Sequence, residues 1–197
     1  MQSYRLFLNI QAENLLLLSG EMNAFNKLKF YYKWQVLMNN SIIYTYKAEN
    51  NELIVDIKYQ DKEKLICLYD NSVHLIEDKN DTELLKIDSK SDFIDLNLKN
   101  YVIQTIETTE FFKSNIQLLI TNVNNKNENL YLTKGVLKSV TVSDNIIALN
   151  FSTEVHFVNN NGWLIKKYVS SQGITDIVVG NSIAGIVYRN KIEIINL

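Results

Sequence analysis

Hydrophobic residues in this chain come in short runs, and polar breaks separate them at nearly constant intervals. The breaks fall near Asn50, Asp61, Asn71, Asn80, Lys90, Asn100, Ser114, Asn125, Lys134, Asp144, Ser152, Asn160, Gln172, Asn181 and Asn190. They recur about every 10 residues, the spacing of turns in an all-β chain of short strands. Between them lie β-formers in partial alternation, as in Val136–Val142 and Lys191–Ile195. Alternation of this kind gathers apolar side chains on one face of a strand. No window of helical length carries a convincing helical period. The stretch from Glu21 to Leu37 is the one whose pattern also admits a short helix. Asn replaces scarce Gly in the turns, because it tolerates positive φ and bonds its own backbone. Asp70-Asn71-Ser72, Asp144-Asn145, Asn159-Asn160-Asn161-Gly162 and Arg189-Asn190 are the instances.

The strands also repeat. Ile146–Val158 aligns without a gap to Ile183–Ile195, and a third copy runs through Leu65–Tyr69 and Val73–Ile76. Ile116–Leu119 lies midway, so the period is about 40 residues and holds four strands, the signature of propeller blades. The alignment puts Cys67, Ala148 and Gly185 at one position, small enough for a crowded inner strand near a channel. It puts His74, Gln117, His156 and Glu193 at another, polar in every copy. The expected architecture is all-β, a propeller of four-stranded antiparallel blades forming a single domain over residues 1–197. About five blades are expected, at roughly 13–47, 52–88, 92–133, 136–170 and 174–196. The last has only three strands, and Tyr4–Ile10 is expected to close it, which would hide an edge. A piece of a larger ring is the alternative.

Composition narrows the function classes. Hydrophobic residues make up 46% of the 197, and charge nearly balances at 20 basic against 22 acidic. A chain this apolar folds, and its scattered lysines disfavour nucleic-acid binding. No apolar run approaches the roughly 20 residues of a membrane-spanning helix, and the first residues lack a signal-peptide pattern.

Candidate chemistry is sparse. Cys67 is the single cysteine and reads as a buried small residue rather than a nucleophile, since a reactive thiol needs an electropositive, accessible site. His74 and His156 are the only histidines and have no Cys or His companion at ligand spacing, so no metal site is expected. Gly180–Gly185 has glycines at phosphate-loop spacing, but Ile186 and Val187 stand where Lys and Ser/Thr are required. Asp92 with Asp95, Glu107 with Glu110, and Glu77 with Asp78 read as solvated loop charges. Trp163, after the turn Asn161-Gly162, reads as a plug between blades. In Phe30-Tyr31-Tyr32-Lys33-Trp34, strand geometry puts Tyr32 and Trp34 on one face and Tyr31 on the other. Tyr31, Tyr32 and Trp34 form the candidate interaction surface, where aromatic rings could stack a sugar or grip a peptide. Packing between blades is the competing reading.

The runs Asn145–Phe157, Asn161–Tyr168 and Ser182–Ile195 resemble the closing blades of an uncharacterised family of Gram-positive bacterial proteins. These are related to quinoprotein-like and WD-repeat-like β-propellers. The match is specific over residues 136–197. The resemblance implies an extracytoplasmic propeller tethered by an N-terminal membrane anchor, and it supplies no catalytic motif. Without it, a cytoplasmic location is the reading. The expected function is a non-enzymatic scaffold that binds a protein or cell-envelope partner, without a cofactor and without inserting into a membrane itself. An enzyme or quinone-type cofactor protein, with a site assembled from scattered loops, is the alternative.

Overall fold

The computed structural model describes residues 4–8, 15–20, 33–38, 41–47, 54–59, 64–77, 80–87, 91–97, 100–110 and 113–197. Its elements are strands throughout. β1 (Tyr4–Leu8), β2 (Leu15–Gly20), β3 (Lys33–Met38) and β4 (Ser41–Lys47) make the first four-stranded sheet in chain order. β5 (Ile54–Tyr59), β6 (Lys64–Tyr69), β7 (Ser72–Glu77) and β8 (Asn80–Lys86) make the second. The third holds β9 (Phe93–Leu96), β10 (Tyr101–Glu110), β11 (Lys113–Asn122) and β12 (Glu128–Lys134). The fourth holds β13 (Ser139–Val142), β14 (Ile146–Asn150), β15 (Glu154–Asn159) and β16 (Leu164–Val169). The last is a three-stranded sheet of β17 (Asp176–Val179), β18 (Ile183–Val187) and β19 (Ile192–Asn196). The chain divides into two compact units, Met1–Glu83 and Leu84–Leu197. No helix among the described residues is long and apolar enough to cross a membrane.

Of the stretch from Glu21 to Leu37, the described part begins at Lys33. Lys33–Leu37 is strand rather than helix, paired to β2 on one side and β4 on the other. Two ladders satisfy more of its backbone than one exposed helical turn would. Tyr4–Leu8 pairs with Leu16–Gly20 in the first sheet. A hairpin to the next strand closes a short loop, which costs less chain entropy than pairing across the whole chain.

Of the two expected uses of Asn in turns, bonding the local backbone predominates. Among the described non-glycine residues, Asn100, Lys126 and Ser152 have positive φ. The other asparagines work mainly as acceptors. Asn122 Oδ1 accepts from the backbone N–H of Asn124 and Asn125, and Asn159 Oδ1 from those of Asn161 and Trp163. Side-chain carbonyls thus stand in for the backbone acceptors that a turn leaves out. Gly162 is required as glycine. Its φ is +79°, and a Cβ there would sit 3.0 Å from the Leu130 carbonyl oxygen.

The second unit shows how alternation builds a core. One face of the fourth sheet, with Ile147, Leu149 and Val158, packs on Ile103, Leu118 and Ile120 of the third. Its other face, with Ile146, Ala148, Val155 and Phe157, packs on Ile177, Ala184 and Ile186 of the last sheet. Each strand of β14 and β15 therefore buries both faces, and every residue from Ile146 to Asn150 is buried. Full burial of a side chain of this size is worth about 1.5–3 kcal/mol, so these stacked faces are the main stabilising term.

Candidate functional site

Each polar residue singled out by the repeat lies on the third strand of its sheet. Cross-strand register sets three of them opposite a buried apolar residue of the second strand: Cys67 faces His74, Leu149 faces His156, and Ile186 faces Glu193, while Gln117 faces half-buried Ile106. Cys67 therefore corresponds to Leu149 and Ile186, not to Ala148 and Gly185. Cys67, Leu149 and Ile186 each stand seven residues before the residue they face, so the three hairpins agree in register, and a match displaced by one residue changes the face of a strand. The Cys67 side chain is buried.

His156, only 5% exposed, is held on both nitrogens. Nε2 meets Glu154 Oε1, and Nδ1 lies 2.9 Å from Tyr131 Oη and 3.3 Å from Thr133 Oγ1, both on β12 of the preceding sheet. The Phe151 ring lies 5.0 Å from the imidazole. Burial raises the Tyr131 hydroxyl above its ordinary value, and the Thr133 hydrogen bond offsets this only partly. The Lys167 ammonium, 2.7 Å from Glu154, holds that carboxyl below the usual range, and the bond to His156 adds to this.

Glu193 repeats the plan. Tyr168, on the outer strand of the preceding sheet, donates to it, as Tyr188 does at 3.3 Å, and Lys191 Nζ binds the other oxygen. Tyr168 and Tyr188 hydroxyls are 2.7 Å apart. Lys191, followed by Tyr168, lowers Glu193; the bonds to Glu193 and Tyr188 raise Tyr168. The spacings agree: the borrowed tyrosine is 25 residues back in both cases, and the near partner 2 back. The aromatic neighbour 5 back is Phe151 for His156, Tyr188 for Glu193 and Tyr69 for His74. His74 meets Asp81 Oδ1 at 2.7 Å, and its buried Nε2 has no hydrogen-bond partner among the described residues. The His156 and Glu193 clusters bind neighbouring sheets together, because their oxygens and nitrogens already serve one another.

Asp92 accepts from the Glu107 N–H at 2.6 Å, and Asp95 from the Leu96 N–H. Glu77 pairs with Lys64. Gly180 and Gly185 border a β-hairpin and precede no helix. Trp163 is corrected: it is 70% exposed, because the Asn159 cap on its N–H turns the residue outward at the hairpin end. Tyr31 and Tyr32 lie outside the described residues, and Trp34 is placed by its backbone in β3, opposite Leu18 and Tyr46. Among the described residues, no group of three His, Cys, Asp or Glu side chains is placed to hold a metal ion.

What the sequence reading missed is an apolar surface. Val178, Ile183, Ile192 and Ile194 are exposed on one face of the last sheet, and with Gly185 and Val187 they line a groove of about 290 Å³. The repeat gives the signal. Ile183, Gly185, Ile192 and Ile194 align with Ile146, Ala148, Val155 and Phe157, the face that the fourth sheet buries against its neighbour.

Stacked antiparallel sheets of this kind, in strict chain order, are the blades of a β-propeller, and the fold is an all-β propeller fold. Similar solved structures are BamB from Moraxella catarrhalis and Hsv2 from Kluyveromyces lactis. BamB has 12% identity and a TM-score of 0.53, over 95% of this chain and 55% of that one. The K. lactis Hsv2 has 10% identity and a TM-score of 0.51, over 93% and 68%. Hsv2 from Kluyveromyces marxianus has 15% identity and a TM-score of 0.47, over 74% of this chain and 49% of that protein. The chain thus spans from about half to about two thirds of the length of these proteins, and the likeness is one of fold. No protein-family model and no curated protein matches the chain.

Proposed function

We propose that the chain is a non-enzymatic binding propeller that holds a protein partner, in the cell envelope if the resemblance to tethered Gram-positive propellers extends to this chain. The observation that carries this reading is the division of chemistry on its surface. The polar clusters at His156 and Glu193 spend their groups on fastening sheets, while Val178, Ile183, Ile192 and Ile194 gather as an exposed apolar face. Contiguous exposed apolar patches mark interaction sites, and rigid scaffolds present them.

The test is site-specific photo-cross-linking in the producing cells. A benzophenone side chain at Val178 is expected to trap one discrete protein, while the same group at exposed Trp163 traps none. The same products from both positions, or none from Val178, refute the reading. The alternative, an enzyme or quinone-type cofactor protein with a site assembled from scattered loops, predicts absorbance from a bound cofactor in the purified protein.

A further inference from the structure

We draw no further inference here: the strongest candidate, the exposed apolar patch of Trp163, Leu164, Ile165 and Val169 along the outer strand β16, carries none, because the lysines beside it, Lys166 and Lys167, already bind the Asn196 carbonyl and Glu154, and nothing in the structure shows what covers it.

Discussion

The bond between Tyr131 on β12 and His156 on β15 joins two sheets, and a double-mutant cycle weighs it. Tyr131→Phe removes one hydroxyl and keeps the ring, whose centroid is 6.0 Å from the imidazole. A hydrogen bond of this type has a net worth of about 1 kcal/mol. His156→Leu removes the partner of Tyr131 and Thr133 together, and it also frees Glu154, which retains Lys167. Each buried group left without a partner costs about 1–3 kcal/mol, while the solvated Glu154–Lys167 pair contributes little, so the expected loss is about 2–3 kcal/mol. In the His156→Leu background the Tyr131 hydroxyl keeps Thr133 alone, so Tyr131→Phe no longer loses the bond to His156 and should cost correspondingly less. The coupling is then about 1 kcal/mol. Urea unfolding followed by circular dichroism measures all four chains, and amide exchange in β14 and β15 localises the effect. Costs that add to within about 0.3 kcal/mol would refute the claim that this bond fastens the sheets.

Gly162→Ala should lower stability by ~2 kcal/mol or more, from the left-handed backbone and the contact with the Leu130 carbonyl, read as a lower urea midpoint. Phe157→Ala should cost about 3–5 kcal/mol as a fully buried ring, whereas Trp163→Ala should stay within about 0.5 kcal/mol. Equal effects would contradict the assigned burial. Tyr168→Phe should destabilise the chain at neutral pH and much less in acid. Glu193 is held below its unfolded value, so its contribution is present above that value and is lost as pH falls through the folded one. A variant-to-native difference that persists unchanged below pH ~2 would count against the Tyr168–Glu193 bond.

Turn spacing and the four-strand period were enough to read the fold class, because short strands with two buried faces leave their mark directly on residue order. The third-strand row of His74, Gln117, His156 and Glu193 was legible for the same reason. The faces were harder. Cys67 was matched to Ala148 because Leu65–Tyr69 resembles Ile146–Asn150 in residue type, yet a slip of one residue moves a side chain to the opposite face. Tyr131 and Tyr168 were invisible as partners, since each belongs to the preceding sheet and no local pattern points across. Trp163 was misplaced because an indole after a glycine turn is apolar in composition and outward in geometry. The Ile192–Ile194 face could have been found by asking which buried positions of one repeat lack a neighbour in the next.

The borrowed tyrosines bear on how such a chain can change by duplication. A copied segment of four strands arrives with its hub residue but leaves that hub's hydroxyl donor behind in the parent copy. What selection can inherit intact is thus a seam between neighbours, and a gene segment cut from the middle of one blade to the middle of the next would transplant more cleanly than one cut at the loops.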